Sequence, residues 1–175
     1  MNEQFRVAQK LGLMFRPETH LPNDVKNWAI SQLKAKSPAL GISQIGSKVK
    51  PWPQSLQPDL MARDTMFGNW FQRGKIGDAS NFSLAERNAN DKENLMRDKD
   101  ELKFSHRNVY GRDQVRLRFT AFWTNHFTTG NTHDNINHIG HAIDEAILAN
   151  LNGDFSHMLY KMTSHPSMLI YLDNI

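Results

Sequence analysis

The sequence contains no cysteine. Disulfides, zinc–thiolate sites, iron–sulfur clusters and thiol nucleophiles are therefore excluded. The absence does not decide compartment, because a helical domain of this size needs no disulfide even when exported. No run of five or more Lys or Arg occurs: 21 basic residues stand against 18 acidic ones, interspersed, for a net charge of +3. The tract that a nucleic-acid or anionic-membrane footprint needs is missing, so no nucleic acid is expected as partner. No apolar stretch approaches the ~20 residues of a membrane span. Met1 to Lys10 is polar and charged, without the apolar segment of a secretory signal. No segment alternates with a period of two, and no internal repeat is visible.

What is present is enough apolar material for a core. Hydrophobic residues make up 39% of 175, including 10 Phe, 4 Trp and 8 Met, so burial can offset chain entropy over one domain spanning 1–175. Helical periodicity dominates. Phe5, Ala8 and Leu11 share a face before Gly12, predicting a helix from Glu3 to Leu11. Asn23 or Asp24 is an N-cap for a helix striped by Val25, Trp28, Ala29 and Leu33. Residues 37–53, with three prolines and two glycines, read as an irregular connection. Helices are expected over 57–72, with Leu60, Phe67, Trp70 and Phe71 inward, and from a Ser83–Glu86 capping box to about Phe104, through Leu84, Leu95, Met96 and Leu102. The second is densely charged, which reads as a solvated face laced with salt bridges or as a binding surface.

The most apolar helix is expected over 112–127, with Val115, Phe119, Phe122, Trp123 and His126 as one face. Another covers 137–151, with Ile139, Ile143, Ala146 and Ile147 inward, and is stopped by Asn152–Gly153. Asp154 caps a helix carrying Phe155, Met158, Leu159 and Met162, and Pro166 opens a last one. The fold class is all-α, an irregular multi-helix bundle.

Six of the eight histidines fall between His126 and His165. His138, His141 and Glu145 at i, i+3 and i+7 lie along one side of a helix, a set able to hold a divalent metal; a solvated polar face explains the spacing equally well. His126, on an aromatic face beside Trp123, reads either as a buried, hydrogen-bonded core residue or as a rigidly held acid, base or ligand. Asn125 is rotated about 100° from it. His165 precedes proline, which disfavours helical geometry and suits an N-cap or turn.

Phe122-Trp123-Thr124-Asn125-His126-Phe127-Thr128 resembles an F-W-x-N-H-F-T element, and His165-Pro166-Ser167-Met168-Leu169-Ile170-Tyr171-Leu172-Asp173-Asn174 resembles H-P-A-M-L-x-Y-L-D-N. Between them, Gly153-Asp154-Phe155 with Met158-Leu159 is similar to G-x-F-x-x-L-L, and Leu11-Gly12-Leu13 with Arg16-Pro17 resembles the opening of the same family. That family is domain of unknown function 1800 (DUF1800). The resemblance implies a helical, often bacterial and often exported protein, associated with a second uncharacterised family, domain of unknown function 1501 (DUF1501), as possible partner. It also implies further helices after the Tyr-Leu-Asp-Asn element, so the chain is expected to be the N-terminal part of a larger helical protein.

Two functional expectations follow. In one, His126, His165, Asn125 and Asp173 form a buried hydrogen-bond network in a module for binding or assembly. In the other, His126 and His165 line the site of a hydrolase-type enzyme, metal-dependent or not, acting on an envelope or extracellular substrate, with Asn125 and Asp173 orienting them.

Overall fold

In the computed structural model, the residues described are 3–11, 23–34, 59–63, 65, 97–109, 111, 113–130 and 138–174. Among them there is helix and no strand, so the all-α expectation holds. The 37–53 connection and the Ser83–Glu86 capping box lie outside the described residues.

Helix α1 is Glu3–Leu11 and α2 is Val25–Lys34. Asp24 caps α2: its Oδ1 accepts from the backbone N–H of Asn27 at 2.9 Å and its Oδ2 from the Asn27 side chain at 2.7 Å. Asp59 does the same for the helical residues 60–63, accepting from the Ala62 N–H at 2.9 Å. Residues 97–109 form α3, which runs past the expected stop at Phe104. Gly111 closes it by a hydrogen bond from its N–H to the Arg107 carbonyl at 2.7 Å. A Cβ at Gly111 would overlap that carbonyl and the Leu117 side chain.

α4 is Gln114–His126. α5 spans residues 139–150 and changes pitch twice: α-helical over Ile139–Ala142, π-helical over Ile143–Ile147 and 3-10 over Leu148–Asn150. The two changes free carbonyls, and the Asn150 carboxamide donates to two of them, Glu145 and Ala146, at 2.9 Å each. α6 is Phe155–Thr163 and α7 is Pro166–Tyr171. Asn174 N–H returns to the Leu169 carbonyl at 2.9 Å and Asp173 N–H to that of Ile170 at 3.1 Å. With Asp173 at φ 57°, this is a Schellman ending.

The core joins α4, α5 and α6 through Phe127, Ala142, Ala146, Ile147, Met158 and Met162, with Trp123, Leu151 and Met168 packed on it. Each large side chain buried there contributes about 1.5–3 kcal/mol. Ala146 and Ile147 point inward as expected, and so do Met158 and Met162, whereas Phe155 and Leu159 are exposed.

Two faces differ from the sequence expectation. On α4, Phe119, Phe122 and His126 are exposed while Arg116, Leu117 and Thr120 are buried. Arg116 turns the helix: its guanidinium donates to the carbonyl of Leu33, at 3.1 Å, and to that of Leu148. Those carbonyls belong to the ends of α2 and α5, where helices leave acceptors unsatisfied. On α3 the inversion is complete, with Lys103 5% exposed and Leu102 60%. Among the described residues the charged face is divided: Asp98 and Glu101 are exposed, while Asp100, Lys103 and Arg107 are drawn into ion pairs away from solvent. The Arg63 guanidinium grips the Asp100 carboxylate at 2.7 and 3.0 Å. Lys103 bonds Asp144 of α5 and lies 3.5 Å from Asp100, and both terminal nitrogens of Arg107 donate to Asp144 Oδ1 at 3.0 Å. Gly140 makes this approach possible, since a Cβ there would fall inside the Asp100 carboxyl.

Candidate metal centre

The pitch changes of α5 and the capping of α7 set the site. Pro166 fixes the first turn of α7, and His165 ahead of it is extended at φ −72°, ψ 139°. The ring then folds over the helix start, and its Nδ1 accepts from the Ser167 backbone N–H at 3.1 Å. Nε2 is thereby aimed at α5, where it meets Nδ1 of His141 at 3.1 Å. The two rings lie 5.4 Å apart between centroids. Glu145, one turn on from His141 and inside the π-helical segment, brings Oε2 to 3.3 Å from His141 Nδ1 and 3.9 Å from His165 Nε2. One ligand atom from each of the three lies within 4.8 Å of the others. Lys161 of α6 stands 3.9 Å from Glu145 Oε1 on the outer side.

Electrostatics keep the imidazoles neutral. The His165 ring is buried, and desolvation carries its pKa from 6.5 down to about 3, with repulsion from a protonated His141 or His138 and from Arg63 opposing its protonation further. His141 is also lowered by burial, against the pull of Glu145. Neutral imidazole is the form that ligates metal. Proton placement follows from the hydrogen bonds. Because His165 Nδ1 accepts from Ser167, the ring proton of neutral His165 sits on Nε2 and is donated to His141 Nδ1.

The sequence candidates separate. His141, Glu145 and His165 come together. His138 is fully buried, but it is not among the three converging ligands. His126, expected either buried or in one site with His165, is exposed. It stacks on Phe122 at 6.2 Å and meets Trp123 and Phe127 edge-on at 5.4 and 5.5 Å. The rotation of α4 by Arg116 carries it outward. Asp173 terminates α7, with its side chain exposed. Asn125 is exposed on α4, 40 residues before His165 in sequence. The union of His165 with a helix 24 residues earlier carries no local signal beyond the His-Pro pair, whose extended backbone frees the ring.

The family described as "Protein of unknown function (DUF1800)" matches residues 6–175. The chain belongs to it. No curated protein and no solved structure matches this DUF1800 chain, so the description of the family adds no reaction to the geometry. No helix among the described residues is long and apolar enough to cross a membrane.

Proposed function

We propose that this DUF1800 chain is a metal-binding helical module in which His141, Glu145 and His165 hold one divalent transition metal. The convergence of two imidazole nitrogens and one carboxylate oxygen carries the reading. Two histidines and one carboxylate suit iron, zinc or manganese, and three protein ligands leave positions open for water or substrate, the pattern of a reactive centre rather than a closed structural one. The buried cations Arg63 and Lys103 lie near enough to act on the imidazoles. The reading joins His141 and Glu145, two of the three residues expected as a metal set from their spacing, to His165 of the expected enzyme site; hydrolysis is one chemistry open to such a centre.

A specific observation favours a second reading. His165 Nδ1 faces an N–H donor, whereas a metal-bound histidine ordinarily donates its remote nitrogen's proton to an acceptor. Binding at Nε2 must therefore displace the shared proton, and either His165 becomes anionic or the Ser167 cap is lost. Without a metal, the same groups tie α7 to α5 as a hydrogen-bonded clasp, in keeping with a role in binding or assembly.

Titration of purified protein with Zn²⁺, Mn²⁺ and Fe²⁺ by calorimetry separates the two. One cation per chain, with proton release and with binding abolished in His141→Ala, supports the metal centre. No uptake of any of the three leaves the clasp.

A further inference from the structure

We infer that a crevice on the opposite side of α5 binds an uncharged small molecule with an apolar body and one hydrogen-bonding group, held by Asn125. Ile139 and Ile143 line it from α5, Phe104 and Ser105 from α3, and Thr124, Asn125 and Thr129 from α4 and its exit. His141 lies two positions beyond Ile139, about 200° around the helix, so this inference stands apart from the metal centre.

Size, charge and a free polar group define the ligand. The crevice holds about 510 Å³, within the range of small-molecule sites. A recess of about 160 Å³ shares Thr124, Asn125, Thr129, Ile139 and Ile143 and leads towards Met162. Two of the three charged residues on its wall are already matched. Asp100 is held by Arg63 and Lys103, and Arg97 donates to Asp98 at 3.2 Å. Glu101 stays exposed at the rim. Inward of that rim, an ion would lose hydration and find no open countercharge among the described residues, which selects a neutral ligand there. Thr124 already donates its hydroxyl proton to the Thr120 carbonyl at 2.8 Å. The Asn125 carboxamide, among the described residues, has no intramolecular partner and offers both donor and acceptor at the junction of the two spaces.

The test is a fluorescence titration with N-phenyl-1-naphthylamine, a neutral aromatic amine. The expected result is saturable binding at one site per chain, weakened about tenfold by Asn125→Leu and abolished by Ile143→Trp, which fills the crevice. Methyl NMR of the unsubstituted protein gives a readout that does not depend on either variant folding. Shifts confined to Ile139, Ile143, Thr124 and Thr129 support the assignment. Absence of saturable binding, indifference to Asn125→Leu, or shifts centred on other methyls would overturn it, as would loss of binding on adding EDTA.

Discussion

α5 carries two ionisable clusters on neighbouring residues, Asp144 and Glu145, and they are built on opposite principles. Asp144 faces α3 and receives Lys103 and Arg107, while Asp100 beside it receives Arg63. Each carboxylate in that cluster is met by cations, with Gly140 omitting a side chain so that they fit. Glu145, on the other side, joins two imidazoles that are neutral and share one proton between their facing nitrogens. In the first cluster each charged group meets an opposite charge, three cations against two carboxylates, with Arg107 Nε left without a hydrogen-bond partner among the described residues. The second has three lone-pair atoms converging on one place, which a proton satisfies only in part and a cation satisfies better. The contrast is between opposite charges in contact and two neutral rings that face one carboxylate at a pitch change, and the proposed metal site rests on it.

Removing a partner should break the first cluster outright. Asp144→Ala leaves Lys103 and Arg107 buried against each other, with only the longer contact from Lys103 to Asp100 remaining. Stranding a buried charge costs about 3–5 kcal/mol, and two at once belong at the top of that range. Urea unfolding should show a loss of roughly 5 kcal/mol, or failure to fold. A loss under about 1 kcal/mol would mean that the cluster is not structural and that the contrast with the histidines is false.

Acid should strain the second cluster, and the sign is set by His165. Its folded pKa, about 3, is below the unfolded value of about 6.5, so the unfolded chain takes up more protons between those limits. Stability in the metal-free protein is full above pH 6.5 and falls as pH drops towards 3. By pH 4.5 the loss attributable to this ring is roughly 2–3 kcal/mol. His165→Asn keeps an N-cap acceptor for Ser167 but removes the titration, so its urea midpoint should vary less between pH 7.5 and 4.5. An equal dependence in variant and parent would place the acid sensitivity elsewhere.

How much of this could be read beforehand depends on whether the signal is local. Caps were legible: Asp24, the His165–Pro166 pair and the stop at Asn152–Gly153 each act over a few residues, through geometry that the residue type dictates. So was the inward set Ala146, Ile147, Met158 and Met162. The inverted faces were not. Apolar periodicity assigns Leu102 to the core and Lys103 to water, and the reverse occurs because Asp144, 41 residues on, supplies a countercharge. Arg116 likewise reads as solvent-facing until the ends of α2 and α5 present their carbonyls to it. His141 and Glu145 were visible as a spaced pair. Their third member was visible as a cap, and only tertiary structure joins the two.

The sharpest comparison is also the one with the smallest effect on stability. Glu145→Gln alters one atom next to the site of the first prediction, yet Glu145 is 45% exposed and its ion pair with Lys161 is long and solvated. Exposed pairs of this kind contribute little, so unfolding free energy should move by no more than about 0.5 kcal/mol. No hydrogen bond to His141 is lost, because His141 Nδ1 accepts from His165 and has no proton to give the Glu145 carboxylate 3.3 Å away. What the substitution removes is the negative charge that balances a divalent cation between two neutral rings, and with it most of the affinity expected of the site. The expected result is an unchanged urea midpoint with metal uptake weakened at least tenfold. If uptake persists at full strength, Glu145 is not a ligand, and the two sides of α5 differ in burial alone.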